Sequence, residues 1–360
     1  MEPVELNPDD LAMPSTNTGN PLKEFILEGV LRRLNLTSYN RLASLQKHLA
    51  ALLAEREESA KKVWSLHREI DKLELEKVRL ETYIFWLEHY FKHPLTATNS
   101  AVGQTPDEMV KIIGQQLAEP NWLAPVAALL LELYRDSGDH VLDFLTSIYR
   151  QALDEHTAYW DVRKSVHILG QVLQARTYLE IGTRMGWSLA QAFRANPDVH
   201  AYSFDMWVPD YSGSQGSTEF VRGKMQQAVS PGKTPHVEFI SGNSHDTLPD
   251  FFAGKLDVKP PPEFDVIVVD GDHSALGAWW DLTDVIPHIR VGGALVFDDI
   301  ELTEELGHEY TTSIHPRPDA PPNMRNLVDV WRILQEHYPN FHYFTCETYS
   351  ARAGVAIRMS

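Results

Sequence analysis

The sequence predicts an α/β protein in which a doubly wound, mostly parallel sheet of seven strands follows an α-helical region with a long coiled coil. Three patterns carry this prediction: a heptad repeat over residues 42–91, helix signals up to about residue 173, and seven short apolar runs after residue 174. Short β-branched runs that alternate with helical segments are typical of a parallel sheet with helices on both faces. A chain of 360 residues has room for two domains or for one domain with a large appendage.

Composition and charge exclude several classes of protein. Hydrophobic residues make up 43% of the chain, which is enough apolar surface for a packed core and excludes wholesale disorder. The net charge of −18 repels phosphate backbones and anionic membrane surfaces, so we expect no nucleic-acid partner. No apolar run reaches the ~18 residues of a membrane span, and the first residues lack the pattern of a signal peptide. We therefore expect a cytoplasmic protein without a membrane span.

Cys346 is the only cysteine in the sequence. A single thiol can form neither a disulfide within the chain nor a cysteine-based zinc site, which fits a reducing compartment. Any bound metal must therefore use oxygen or imidazole ligands.

Composition divides the chain into four segments. Residues 1–20 are acidic and polar, and we interpret them as a disordered tail. Residues 21–95 contain the heptad repeat, which indicates a coiled coil that assembles chains into a homo-oligomer. Residues 96–173 form a helical domain, and residues 174–360 form the sheet domain.

The coiled coil has two other interpretations. A long helix that folds back on its own domain also produces a repeat of 3.5 to 3.6 residues. A coiled coil of about 75 Å, at ~1.5 Å per residue, could also hold the sheet domain at a set distance from a partner biosynthetic enzyme.

Helix signals continue between the coiled coil and the sheet. Thr105 is followed by a proline and by Glu108, which together predict a capping box at a helix N-terminus. Breaks are expected at Glu119–Pro120, at residues 136–139 and at Gly170. These helices contain no catalytic constellation, and we assign them to assembly and to covering the substrate pocket.

Functional residues of a doubly wound sheet lie beyond the carboxyl ends of its strands. The predicted strands are residues 177–181, 199–204, 237–240, 264–269, 294–297, 341–345 and 354–357. The first ends in Glu180 and a glycine turn at Gly182 and Gly186, which would let the backbone approach a ligand. A tight strand–helix turn without a ligand is the alternative.

The next two strands also end in polar residues. Asp205 follows the second strand, where a carboxylate often accepts hydrogen bonds from a ribose. A polar turn at residues 241–244 follows the third strand. A glycine turn, an acid and a polar turn at successive strand ends resemble the class I S-adenosylmethionine-dependent methyltransferases. The resemblance implies a cofactor site made of Glu180, Gly182, Thr183, Gly186, Ser188, Asp205, Gly242, Asn243, Ser244 and Asp270.

Three carboxylates follow the fourth and fifth strands. Asp270, Asp298 and Asp299 would repel each other at short range, and a divalent cation is a natural way to stabilise such a cluster. Oxygen ligands favour Mg²⁺, with Mn²⁺ as a further candidate. Alternatively, Asp298 or Asp299 caps the following turn, and Asp272 is a solvated turn residue.

The motifs DGDHS at residues 270–274 and GGALVFDD at residues 292–299 sharpen the resemblance. They are similar to those of the metal-dependent macrolide sugar O-methyltransferases of the mycinamicin and tylosin type and of their cephalosporin-hydroxylase-like relatives. The turn DTLP at residues 246–249 adds to this similarity, which covers residues 174–360. The coiled coil is not part of the family pattern.

The resemblance implies an O-methyltransferase that acts on a hydroxyl of a sugar, a glycan or a glycosylated natural product. Asp270, Asp298 and Asp299 would hold the metal, which orients two neighbouring hydroxyls and lowers the pKa of one. His273 occupies the position of the family's general base, although it could instead orient a carboxylate. His245 and His315 are expected to be exposed loop histidines without a role.

Two other functions remain open from the sequence. A catechol or phenol acceptor would need the same carboxylates as a sugar diol. A coiled-coil scaffold with a cofactor-binding domain that performs no catalysis would need neither the carboxylates nor His273.

Overall fold

The computed structural model divides the chain into two compact units, Met1–Leu80 and Glu81–Ser360. It describes residues 37–52, 60–92, 103–137, 139–209, 216–305 and 311–360.

The first unit contains helix α1 (Thr37–Leu52) and the first part of helix α2 (Ala60–Lys92). Arg41 of α1 donates a hydrogen bond to Glu69 of α2. The heptad repeat crosses residues 53–59, which lie outside the described residues, as does the predicted disordered tail at residues 1–20. The coiled coil and the assembly that it implies therefore stay predictions.

In the described residues, four further α-helices lie between α2 and the sheet. They are α3 (Pro106–Ala118), α4 (Leu123–Tyr134), α5 (His140–Asp154) and α6 (Val162–Val172). The predicted capping box is confirmed, since Thr105 accepts from the Glu108 backbone and the Glu108 carboxylate accepts from the Thr105 backbone. Within the described ranges, no helix is long and apolar enough to cross a membrane.

The predicted helix break at Gly170 is wrong, because this glycine lies inside α6. A Cβ at Gly170 would lie 2.7 Å from the Cβ of Ala195, at the end of helix α7 (Trp187–Ala195). The glycine therefore permits α6 and α7 to pack closely, and α6 also packs on the sheet.

All seven predicted strands are present. They are β1 (Thr177–Ile181), β2 (His200–Asp205), β3 (His236–Ser241), β4 (Phe264–Val269), β5 (Ile289–Phe297), β6 (Phe341–Thr345) and β7 (Gly354–Arg358). The strand order is β3-β2-β1-β4-β5-β7-β6. Strands β1 to β5 are parallel, and β7 runs antiparallel to both β5 and β6. The result is the doubly wound, mostly parallel sheet that the sequence predicts.

Helices cover this sheet and bury its apolar strands. The remaining helices are α8 (Thr218–Ala228), α9 (Ser244–Phe252), α10 (Ala275–Val285) and α11 (Leu327–His337). Ile267 of β4 and Leu282 of α10 are fully buried in the core that the sheet shares with α9, α10 and α11. Cys346, directly after β6, is also buried and accepts a weak hydrogen bond at its Sγ from the Trp160 backbone, at 3.5 Å.

Candidate active site

A cavity of about 540 Å³ opens at the carboxyl ends of strands β1 to β5. The predicted residues that line it are Gly182, Asp205, Gly242, Asn243, Ser244, Asp270, His273, Asp298 and Asp299. The lining that the described residues provide does not include Glu180, Thr183, Gly186 and Ser188. Most of the predicted site residues therefore meet at one end of the sheet, as its topology requires.

The glycine turn after β1 closes tightly on the end of β4. Gly182 has a φ of +85°, and a Cβ at this position would lie 1.8 Å from the carbonyl oxygen of Asp270. The Gly182 backbone N–H donates to the Phe204 carbonyl at 2.9 Å, and the Asp270 N–H donates to the Ile181 carbonyl at 2.9 Å. Only glycine allows this approach, which forms the floor of the cavity.

Glu180 and Ser188 lie behind the same turn. Glu180 is fully buried, and the hydroxyl of Ser188 donates a hydrogen bond to its carboxyl group. Burial raises the pKa of Glu180 to about 8, although the bond from Ser188 lowers it. Thr183 is paired in the same layer with Ser203, at 2.6 Å between hydroxyl oxygens. These residues support the turn from behind, and their direct contact with a cofactor stays a prediction.

Asp205 is held rigidly at the edge of the cavity. One carboxylate oxygen accepts from the Arg184 backbone N–H at 2.7 Å, and the other accepts from the Trp207 N–H at 2.6 Å. Each carboxylate oxygen has more than one acceptor site, so Asp205 can accept further bonds from a ligand hydroxyl.

The side-chain amide of Asn243 holds the turn after β3 in place. Asn243 Oδ1 accepts from the His245 backbone N–H at 3.1 Å, which caps α9, and its Nδ2 donates to the Thr312 carbonyl at 2.7 Å. Gly242 has a φ of +134°, which favours glycine. The Asn243 side chain therefore ties the cavity wall to the segment that begins at Thr311.

The carboxylate cluster, which we define as Asp270, His273 and Asp299, lies at the centre of the cavity. Each residue offers one ligand atom, and these atoms lie within 4.8 Å of one another. His273 Nε2 lies 3.3 Å from Asp270 Oδ1, and its Nδ1 lies 3.3 Å from Asp299 Oδ2. Among the described residues Asp298 does not belong to this group, although it follows the same strand and lines the same cavity.

Electrostatic interactions in this cluster are strong. Burial lowers the pKa of His273, but the hydrogen bond and charge of Asp270 and the charge of Asp299 outweigh it and raise the pKa to about 9. Burial raises the pKa of Asp299 to about 6. It also raises the pKa of Asp298 well above its usual range, with further contributions from the charges of Asp270 and Asp299.

These pKa shifts, together with one buried carboxylate oxygen that lacks a hydrogen-bond partner, fit a divalent cation. Asp298 is only 5% exposed, and its Oδ1 has no hydrogen-bond partner among the described residues. Carboxylates that are crowded and buried prefer to be protonated unless a positive charge compensates them. Carboxylate oxygens suit Mg²⁺ and Mn²⁺, so the three aspartates fit the predicted metal.

Arg163, which the sequence analysis missed, provides one positive charge at the cavity wall. It lies in the first turn of helix α6, donates to Asp161 Oδ2 at 2.9 Å and interacts electrostatically with Asp298. Asp161 also accepts from the hydroxyl of Tyr149. Arg163 is the second residue of α6, and no local pattern in the sequence indicated its place at the cavity.

Apolar residues, which we call the apolar wall, also line the cavity. Val141, Phe144 and Leu145 of α5 line it, together with Met206 and Val208 after β2. The side chain of Phe144 is 52% exposed and that of Met206 is 43% exposed, which is unusual for large apolar residues. The helices before the sheet were assigned to assembly and to covering the pocket, and residues of α5 line the cavity.

The expectation of an exposed His245 is wrong. This histidine is fully buried, lines the cavity, and packs edge-on against Trp280. Its Nε2 lies 3.6 Å from Asp281 Oδ1 and 3.9 Å from Asp272 Oδ2. Asp272 is likewise not a solvated turn residue, because its side chain is only 9% exposed. Helix α9 carries His245 inward, an orientation that the sequence spacing did not indicate.

Residues 179–300 match a family model described as a methyltransferase domain. The matched stretch covers less than half of the chain. It begins in β1 and ends just after Asp299, so it contains the strand ends that build most of the cavity.

Solved structures also resemble part of the chain. The O-methyltransferase TomG from Streptomyces achromogenes, in complex with SAM, is 23% identical, with a TM-score of 0.38 over 54% of this chain and 78% of that one. An O-methyltransferase from Bacillus cereus, in complex with SAH, is 20% identical, with a TM-score of 0.36 over 53% and 77%. Comparison with curated proteins gave no match. The assignment of a function therefore depends on the site residues and on the family match.

Proposed function

We propose that the protein is an S-adenosylmethionine-dependent O-methyltransferase that uses a divalent cation, Mg²⁺ or Mn²⁺, to prepare its acceptor. The observation that carries the proposal is the carboxylate cluster beside Asp298, at the carboxyl edge of a sheet that matches a methyltransferase domain. A methyl group on sulfonium is already activated, so the enzyme has to position a hydroxyl and remove its proton.

The cofactor would bind along the first three strand ends. Gly182 gives the backbone a close approach, Asp205 has acceptor capacity for ribose hydroxyls, and residues 242–244 form a polar turn. These groups are preorganised by backbone hydrogen bonds, which reduces the entropy lost when a ligand binds.

The metal would be held by Asp270, Asp298 and Asp299. A bound divalent cation supplies Lewis-acid polarisation, which lowers the pKa of a coordinated hydroxyl. The raised pKa values of Asp298 and Asp299 support this assignment, since they arise from burial first and then from the charge of the neighbouring Asp270, both of which a bound cation would offset. Arg163 contributes only one positive charge against these carboxylates and Asp161.

His273 would accept the proton of the acceptor hydroxyl. Asp270 and Asp299 flank its two ring nitrogens, which fixes the orientation of the imidazole. With both carboxylates charged, its pKa of about 9 keeps it protonated at neutral pH. Its service as a base therefore requires that this negative charge be neutralised, which ties proton removal to metal binding.

The acceptor class follows from the need for two adjacent oxygens. We propose a sugar, a glycan or a glycosylated natural product, on the strength of the DGDHS motif and of the acidic pair after β5. A catechol or phenol is the second candidate. The exposed side chains of Phe144 and Met206 favour it, because a flat apolar ring could pack against them.

Self-association remains part of the proposal. Residues 21–95 would form the coiled coil of a homo-oligomer, with residues 96–173 as a helical domain and 174–360 as the methyltransferase domain. Sedimentation analysis of the full chain at several concentrations tests the oligomer. A monomer at every concentration would contradict it.

Calorimetry with S-adenosylmethionine tests the function most directly. We expect micromolar binding by the wild type, loss of binding in Asp205→Ala, and largely retained binding in Asp298→Ala. An acceptor screen is then run with Mg²⁺ and with EDTA. Absence of cofactor binding by the wild type would overturn the methyltransferase proposal, whereas equal turnover in EDTA would remove only the metal.

A further inference from the structure

A second group of metal-ligating side chains lies at the opposite end of the sheet. We name it the edge cluster and define it as His200, His236 and Glu238. Each residue offers one ligand atom, and these atoms lie within 4.8 Å of one another. We propose that the edge cluster binds a transition-metal ion of the Zn²⁺ type and that this ion fastens strand β3 to β2.

The register of the backbone strands brings the residues of the edge cluster together. His200 and His236 begin β2 and β3 and are register partners in this parallel pair. Glu238 lies two residues after His236, so all three side chains project from the same face of the sheet. The two imidazole rings stack with centroids 3.6 Å apart and planes at 9°.

The distances suit a shared ion. Glu238 Oε1 lies 3.8 Å from His200 Nε2 and 3.6 Å from His236 Nε2. Ligand atoms around a tetrahedral Zn²⁺, with bonds of about 2.0–2.1 Å, lie roughly 3.4 Å apart. A contraction of a few tenths of an ångström would bring Glu238 Oε1 to that spacing from each histidine. The two stacked rings would also have to turn so that both nitrogen lone pairs point at one ion. Two histidines and a carboxylate form a ligand set that Zn²⁺ accepts, with water in the fourth position.

His200 is prepared for this role. Its Nδ1 is 3.2 Å from the hydroxyl of Tyr202, while its buried Nε2 has no hydrogen-bond partner among the described residues. Histidines that bind metals through one nitrogen usually donate from the other, which fixes the tautomer. The side chain of His236 is 64% exposed, so an ion can enter from solvent.

At this location, a bound ion would stabilise the edge strand of the sheet. Strand β3 is the edge of the sheet and pairs only with β2 in the described strand order. It leads directly into the turn at residues 242–244 that lines the cavity. Any ion that binds the folded state alone raises its stability, by mass action.

Zinc titration of the full chain tests this proposal. The protein is treated with a chelator, dialysed and titrated with ZnCl₂ by calorimetry, as wild type and as His236→Ala, Glu238→Gln, Asp299→Asn and His342→Ala. His342 is an exposed histidine on the other edge strand, and it serves as the matched control. Asp299→Asn separates the edge cluster from the carboxylate cluster, which could also bind zinc.

We expect His236→Ala and Glu238→Gln to weaken one zinc site by more than about tenfold, since even groups that only support a ligand contribute 10- to 100-fold. That site should persist in Asp299→Asn and in His342→Ala, and zinc should raise the melting temperature of the wild type but not of His236→Ala. Equal zinc binding by wild type and His236→Ala, an equal loss in His342→Ala, or loss of all zinc binding in Asp299→Asn would overturn the proposal. Circular dichroism of each variant confirms that it is folded.

Discussion

The two ends of the sheet carry clusters of equal size and different character. The carboxylate cluster lies inside a cavity of about 540 Å³, and its histidine is clamped between two acids. The edge cluster is open to solvent, with two stacked imidazoles and a single acid. Burial raises the carboxyl pKa of Asp299 at one end and lowers the imidazole pKa of His200 at the other. Three ligands within reach of an ion therefore do not define a reaction centre, which also needs an enclosed space and a proton acceptor.

The largest expected effect is the loss of Asp298. Removal of a proposed metal ligand should lower turnover by more than about 100-fold, since loss of a merely supporting group costs 10- to 100-fold. Turnover of acceptor with saturating Mg²⁺ measures this effect. Asp319→Ala, at an exposed loop position, is the control. Normal turnover in Asp298→Ala would show that Asp298 only caps a turn.

Next in size is the effect of His273→Gln. Loss of the proposed base should lower kcat by about 100-fold, at the low end of the range for general base catalysis. Cofactor affinity should be unchanged, because His273 is assigned to the acceptor hydroxyl. Single-turnover kinetics and calorimetry separate the two quantities. If kcat stays the same while the affinity for the metal falls, His273 orients a carboxylate instead.

The third prediction concerns how the stability of the protein depends on pH through the buried carboxyl group of Glu180. The pKa of Glu180 is raised to about 8 by burial, so its contribution to stability is fully present below its ordinary pKa of about 4.5. That contribution is lost as the pH rises through about 8, when the buried carboxyl ionises. We expect Glu180→Gln to reduce the fall in unfolding free energy between pH 5 and pH 9 by about 4 kcal/mol.

Urea unfolding at several pH values measures this change. Glu238→Gln, which removes a half-exposed acid from the edge cluster, provides the comparison and should leave the slope nearly unchanged. Identical pH profiles for wild type and Glu180→Gln would mean that Glu180 ionises freely in the folded protein.

The smallest effect concerns the apolar wall. Phe144→Ala should raise KM for an aromatic diol by about fivefold, or roughly 1 kcal/mol, because the ring loses apolar contact area. KM for a sugar acceptor should change little, and Phe144→Leu should restore part of the loss. Steady-state kinetics with both acceptor classes would then identify the preferred one. Equal sensitivity of both acceptors would exclude the wall as a specificity determinant.

The sequence predicted the strands well because their signal is local. The run at residues 264–269 is apolar and β-branched throughout, and it coincides with β4. Parallel topology then brings the residues after each strand to one edge, which is why Asp205, Asp270 and Asp299 were placed together correctly. The tight turn at Gly182 is present, since a Cβ there would meet the Asp270 backbone, whereas its close approach to a ligand stays a prediction.

The missed residues depend on contacts between distant segments. The direction of His245 depends on how α9 packs against α10, and the position of Arg163 depends on how α6 packs on the sheet. The edge cluster arises from the register of β2 with β3, which pairs His200 with His236. Strand register is set by core packing across the sheet, so no local spacing indicated this pair.

The burial of Cys346 makes the protein a convenient subject for thiol chemistry. Because the only sulfhydryl group in the sequence is 1% exposed, an alkylating reagent can reach it only when the region around β6 opens. The rate of alkylation of this one sulfur atom therefore measures how often that region opens. A new cysteine placed at the surface would also carry a fluorophore or spin label almost free of background. Distances between such labels in the full chain would report directly on whether copies of the chain assemble.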